Sequence, residues 1–273
     1  MQGEVKREIR RKADSFRDNC KIVRYGITDL FKECERCGYK VIRYPLGEDA
    51  DLGFVTKKDE DIVIFINSSS RFSREIFTLA HEIGHIILHF EGKHYFVDDK
   101  ATISDKDHDE KEQQANYFAA CLLMPEDVVR KYIDYEVTDS KKHDLSAMDI
   151  ARIMSEFNVS FDMAINRLES LGIIDANQKI CLGNEKTEHK VGNLLQSVGG
   201  NARLNTPDEG ISIPHEYIDY VIYNYNHNAI PKDTLERVLK YYKLCMEDIS
   251  DRIKLHEENN PESLEDLIGG LPD

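Results

Sequence analysis

Positive charge is what this 273-residue chain is short of: 36 Lys and Arg stand against 51 Asp and Glu, a net charge of −15. So acidic a surface argues against unspecific binding to nucleic acid or to an anionic membrane face. Long apolar runs are missing as well. Nothing approaches the roughly 20 apolar residues of a membrane span, and the opening stretch MQGEVKREIRRKADSF is charged where a signal peptide turns apolar. A soluble, cytoplasmic protein without membrane association is therefore expected. The six cysteines show no paired spacing; scattered at 20, 34, 37, 121, 181 and 245, they read as reduced thiols. Cys34-Glu-Arg-Cys37 is a lone CxxC with no second pair to complete a zinc site. Tryptophan is absent, which excludes little at 41% hydrophobic content. No internal repeat is visible, and the length allows one large or two modest domains.

What is present is a pentapeptide, His81-Glu82-Ile83-Gly84-His85, inside a long apolar-periodic stretch. On a helix, His81 and His85 lie four positions apart, project from one face and can grip a single metal ion. Glu82 is angularly offset beside them, where its carboxylate can reach a water on that metal. Phe72, Ile76, Leu79, Ile83, Ile86, Ile87 and Phe90 recur at spacings of three and four and predict a core-facing stripe. Thr78, His81, His85 and His89 fall on the opposite face. Ligands on one side and packing on the other is what a buried metal site on a rigid helix requires. The plainer reading, two histidines lining a polar surface, sits poorly with so apolar a stretch.

A catalytic zinc usually takes three protein ligands and keeps a fourth position for water, so a third ligand is needed. Residues 110–125, EKEQQANYFAACLLMP, predict a second helix that Pro125 helps to close. Glu112, Asn116, Ala119 and Leu123 share one of its faces. Glu112 is the candidate third ligand, with Asn116 one turn on to orient a ligand imidazole. Glu110 is the rival carboxylate but lies well around the helix from Asn116. The small Ala119 and Ala120 would let this helix approach the first closely.

The run FTLAHEIGHIILH, followed by E-x-x-A-N-x-F-A-A-x-L-L-M-P, resembles the ImmA/IrrE-type metallopeptidases, bacterial and phage proteins of the gluzincin-like class. The resemblance covers roughly residues 25–175, with an acidic, hydrophilic spacer (91–109) between the two motif blocks. It implies His81, His85 and Glu112 as ligands of one zinc ion per chain, and Glu82 as general base. A metzincin pattern does not fit, because His89 follows His85 by four residues and not six, and the required Gly is missing. His89, His94, Tyr95, His108 and Tyr117 are all candidates to donate to a tetrahedral intermediate, and the residues do not choose among them. His89 reads more simply as a local hydrogen-bonding partner.

The organisation predicted is α+β and mostly helical. Helices over 2–20 and 26–37 (stopped by Gly38) precede three β-type runs at 39–44, 53–57 and 61–66, then the HExxH helix, with Ser68–Ser70 as its candidate N-caps. With the resemblance, this becomes a zincin-like peptidase domain over 1–140 with a small three-stranded sheet, one edge of which would accept an extended peptide. Residues 141–178 read as a helix-turn-helix-like unit packed on it, broken near Asn158-Val159-Ser160. Arg152 and Arg167 there face five acids, Asp144, Asp149, Glu156, Asp162 and Glu169, so a core-completing or docking role is preferred to DNA reading. Linker or loops are expected over 179–211, a tyrosine-rich C-terminal helical unit over 212–256, and an acidic, mobile tail over 257–273.

The function expected is an intracellular zinc endopeptidase that cleaves a protein regulator site-specifically. The resemblance implies a DNA-binding helix-turn-helix repressor of a mobile element, phage or stress operon as that partner. The alternative is a non-cleaving binding partner of a transcription factor, antitoxin-like or a regulatory subunit, which would show damage in the metal constellation. A DNA-binding regulator carrying a vestigial peptidase would need a basic face that the chain lacks.

Overall fold

The computed structural model describes residues 1–47, 49–50, 52–58, 61–90, 105–137, 144–214 and 216–253. They divide into two compact units, Met1–Ser212 and Ile213–Asp273. The first is mostly helical with a small mixed sheet, the α+β architecture of a zincin-like fold. It opens with α1 (Gly3–Asp18) and α2 (Leu30–Arg36). Gly38, at φ +81°, takes the left-handed position that ends α2 and turns the chain into the sheet.

Strands β1 (Lys40–Tyr44), β2 (Gly53–Lys58) and β3 (Asp61–Asn67) follow. The almost continuously apolar β3 lies in the middle, parallel to β1 (Val41 opposite Ile64) and antiparallel to β2 (Val55 opposite Ile64). Ile64 and Ile66 are buried on one face, while Val63 and Phe65 on the other are half-buried. The two edges differ. The outer side of β1 is paired at Arg43 with Ser212, through hydrogen bonds of 2.8 and 3.0 Å in the two directions. Among the described residues β2 has no such partner.

Helix α3 (Phe72–His89) carries the HExxH motif, and α4 (Asp105–Leu123) runs beside it. Of the expected stripe, Ile76, Leu79, Ile83 and Ile86 are buried, while Phe72, Ile87 and Phe90 are half-buried. The expected N-caps fail: Arg71 occupies the N-cap without a side-chain bond. Ser69 Oγ instead accepts from Gly47 N–H at 2.8 Å, and Ser68 Oγ is buried without a hydrogen-bond partner among the described residues. At Gly84 the two helices approach closely. A Cβ there would sit 3.1 Å from Ala115 Cα and 3.2 Å from both Ala115 O and Phe118 Cδ1. We expect Gly84→Ala to lose stability, because helix backbone cannot give way as a side chain can. Overpacking of about 1–3 kcal/mol outweighs roughly 1 kcal/mol of helix propensity. Thermal melts of the variant check this; an unchanged or raised melting temperature would show that α4 moves freely.

The C-terminal end of α4 is held by two buried guanidinium groups. Arg17 donates to Leu122 O at 3.0 Å and Arg167 to Met124 O at 3.0 Å, satisfying carbonyls that a helix end leaves open. After α5 (Glu126–Glu136), helices α6 (Ala147–Phe157) and α7 (Phe161–Ser170) meet at Asn158, which is left-handed at φ 55°. Their apolar faces, including Ile150, Ile153, Met154, Phe157, Ile165 and Leu168, enter the same core as α3 and α4; Met163 is only partly buried against it.

Residues 179–211, expected as linker or loops, are a correction. Helices α8 (Ala176–His189) and α9 (Val191–Ser197) and a 3₁₀ turn (Ala202–Asn205) fill most of that stretch. The sequence there is polar, yet Leu182, Val191, Leu194, Leu195 and Leu204 are spaced to drop into the main core. The second unit contains α10 (Glu216–Asn226), α11 (Lys232–Tyr241) and a 3₁₀ turn, around Ile218, Val221, Ile222, Leu235, Val238, Leu239 and Ile249. Of its tyrosines, Tyr225 and Tyr242 pack on this core, and Tyr217, Tyr220, Tyr223 and Tyr241 are exposed. The expected tail (257–273) lies outside the described residues. No helix among the described residues is long and apolar enough to cross a membrane.

Candidate metal centre

Four positions apart on α3, His81 and His85 bring their Nε2 atoms within 3.0 Å of each other. Glu112 of α4 completes the group, with Oε2 at 3.2 Å from His81 Nε2 and Oε1 at 3.1 Å from His85 Nε2. These three residues offer ligand atoms within 4.8 Å of one another, and no other such cluster occurs among the described residues. The rival Glu110 is exposed and outside it. Donors bonded to zinc at about 2.0–2.1 Å in tetrahedral geometry lie about 3.3 Å apart, close to the spacing found.

The outer ring nitrogens decide what the inner ones can do. His81 Nδ1 faces Asn116 Oδ1 at 3.1 Å, so with the amide oxygen so placed His81 carries its proton on Nδ1. His85 Nδ1 meets His89 Nδ1 at 3.0 Å, and His89 Nε2 meets Gln114 Oε1 at 3.2 Å. If His89 donates to Gln114, its Nδ1 is an acceptor and His85 must donate to it. Both neutral rings then point bare Nε2 lone pairs at the same spot as a carboxylate. Three acceptors converging at about 3 Å repel unless a proton or a cation lies among them. That donor set fits a divalent metal of zinc's type.

The ionisable groups behave accordingly. When a proton instead of a metal sits on the ring nitrogens facing it, hydrogen bonds from His81 and His85 hold the Glu112 carboxyl far below the usual carboxylate range. Burial works to lower the His81 pKa, but the bond to Glu112 and the charges of Glu82 and Glu112 overcome it, and the net shift is upward. A proton in the metal-free site is thus what a metal must displace. Burial drives His89 down to about 4, which keeps it neutral and able to accept from His85. Glu82 is buried beside the cluster; desolvation raises its carboxyl pKa, partly countered by His81 and His85. Among the described residues no protein group hydrogen-bonds to it.

The sequence singled out every member of this cluster except Gln114, whose part depends on a helix-to-helix distance that no spacing reveals. Tyr117, a candidate donor to an intermediate, takes a 3.4 Å hydrogen bond from Arg10. His94 and Tyr95 lie outside the described residues, as does the side chain of His108. Cys34 is buried and Cys37 exposed, and burial raises the pKa of both thiols.

Comparison with known proteins agrees with this geometry. Residues 34–169 match the family model of the IrrE N-terminal-like domain, a peptidase family. The chain is 29% identical over 117 residues to the uncharacterized immunity region protein 2 of Bacillus phage phi105, covering 43% of this chain and 72% of that protein. It is 40% identical over 84 residues to the radiation response metalloprotease IrrE of Deinococcus radiodurans, covering 28% of this chain and 23% of that longer relative. The matched stretch contains the sheet, both ligand-bearing helices and the α6–α7 pair, and through it the chain belongs to the ImmA/IrrE family of metallopeptidases.

Proposed function

We propose that this chain is a zinc-dependent endopeptidase that cleaves a regulatory protein, a helix-turn-helix repressor, inside the cell. The observation that carries the reading is the convergence of two imidazole nitrogens and a carboxylate on one point, with Asn116 and His89 fixing both rings from behind. His81, His85 and Glu112 would hold the metal. Zinc bound there supplies Lewis acidity, drawing the pKa of a water toward neutrality and polarising the substrate carbonyl. Glu82 takes the proton of the attacking water and returns it to the leaving amine. Its burial suits it to both steps, because a raised pKa strengthens a carboxylate as a base. The unpaired edge of β2 supports an extended substrate beside the site: Gly53 lies so close to α3 that a Cβ there would meet Thr78 Cγ2 at 2.7 Å.

A regulatory substrate is supported by what the relatives are named for, phage immunity in one case and a radiation response in the other. The test is co-expression with candidate helix-turn-helix regulators, any encoded beside this gene first, comparing wild type with Glu82→Gln by intact mass. Wild type alone should yield two fragments whose masses sum to the regulator plus one water. An intact regulator co-purifying equally with both proteins would replace the peptidase by the non-cleaving partner.

A further inference from the structure

A groove of about 1540 Å³ opens beside the candidate metal centre, walled by the first turns of α3, by α4 and by α7. Asn116, which holds His81, is in its wall, and so is Phe77, one turn before His81. The volume exceeds the roughly 300–1,000 Å³ of small-molecule pockets and suits a length of polypeptide. Its charge is opposite to that of the chain. In a protein of net charge −15, the groove is lined by Lys6, Arg71, Arg74 and Arg167 and by a single acid, Asp162. That acid is already neutralised by Lys186, at 2.7 and 2.6 Å. Arg167 is buried and committed to Met124 O. Arg71 and Arg74 are exposed, and among the described residues neither side chain has an ion-pair or hydrogen-bond partner; Lys6 lies over the Tyr117 ring at 5.7 Å. Screening over about 8–10 Å makes the charges that line the groove weigh most in the potential inside.

We propose that this groove binds an acidic stretch of the substrate polypeptide and so selects where the chain is cut. The inference rests on the peptidase reading above. Arg74 and Arg71 precede His81 by seven and ten residues. At about 1.5 Å per helical residue these are some 10 and 15 Å away. An extended substrate advances about 3.3 Å per residue, which sets the acidic side chains about three to five residues from the cleaved bond.

Short fluorescein-labelled probes of Gly, Ser and Glu, the same length with Lys for Glu, and a single-stranded oligonucleotide test this. Each is titrated by anisotropy into the zinc-loaded full chain carrying Glu82→Gln, so that nothing is cut. The Glu probe should bind, weaken as salt is raised, and lose about tenfold or more in affinity when Arg71→Glu and Arg74→Glu are added. A glutamate at the start of α3 suits the helix dipole, so this variant should fold; the Arg71→Ala/Arg74→Ala pair, with a smaller loss in the same direction, guards against misfolding. Reversal of Lys131, which does not line the groove, should change nothing. No binding of the Glu probe, equal binding after reversal at Arg71 and Arg74, or tighter arginine-dependent binding of the oligonucleotide would overturn the proposal. Arginine-dependent binding of the Glu probe in a chain that never cleaves the regulator would keep the groove and sink the peptidase.

Discussion

Glu82→Gln should keep its metal and lose its chemistry if Glu82 is the base proposed above. The side chain is not among the three that converge, so metal content measured by mass spectrometry should match wild type. The amide preserves size and polarity but cannot accept a proton from water, and positioned general bases contribute about 10²–10⁴-fold. A fall of that size in kcat/KM is expected with little change in KM, because the proposed role of the carboxylate is in the transition state and not in holding substrate. The pH profile gives an independent readout. Burial raises the Glu82 pKa above its ordinary value, and the base must be ionised to work. Activity should therefore fall along an acid limb as pH drops and Glu82 takes up a proton, at a pH set by burial, which raises its pKa, against the charge of the bound metal, which lowers it. The variant's residual rate should lack this limb. Cleavage at the wild-type rate by Glu82→Gln would end the mechanism.

The centre was more legible in the sequence than the scaffold that aims it. Four-residue spacing on α3 and on α4 determines which side chains share a face, and a helix has only one geometry to realise that spacing. Hence His81 with His85, and Glu112 with Asn116, could be paired before any fold was known. The three strands announced themselves by β-branched and aromatic runs, but their order did not, since nothing local to Lys40–Tyr44 says that it lies parallel to the third run. The stretch 179–211 hid its helices because five widely spaced apolar residues suffice to anchor them on a core built from elsewhere. The same limit concealed Arg17 and Arg167. Each reads as an ordinary surface cation until α4 ends above it and presents open carbonyls. Gly84 fills one of the two unspecified positions of HExxH, and only the approach of Ala115 shows why a side chain there is costly.

Removal of Glu112 should reveal whether the cluster is a metal site at all. With Glu112→Ala, two imidazoles remain and one of three anchoring bonds is gone. Loss of a group behind a ligand typically lowers metal affinity by about 10–100-fold. Loss of the ligand itself should exceed that, at least about a hundredfold, while Asn116→Ala should fall within it and the exposed Glu110→Ala should do nothing. Zinc at a thousandfold over its Kd stabilises the folded chain by about 4 kcal/mol. At roughly 2–4 °C per kcal/mol for a unit of this size, adding zinc should raise the wild-type melting temperature by roughly 8–16 °C. Glu112→Ala should show little of that rise at the same zinc concentration. A proton competes for the same nitrogens, and its hold on His81 is strengthened by Glu112. The wild-type shift should therefore shrink as pH is lowered, in step with protonation of His81. An undiminished, pH-independent shift in Glu112→Ala would place the stabilising ion elsewhere, and the convergence of His81, His85 and Glu112 would then be a buried proton-sharing network without a catalytic metal.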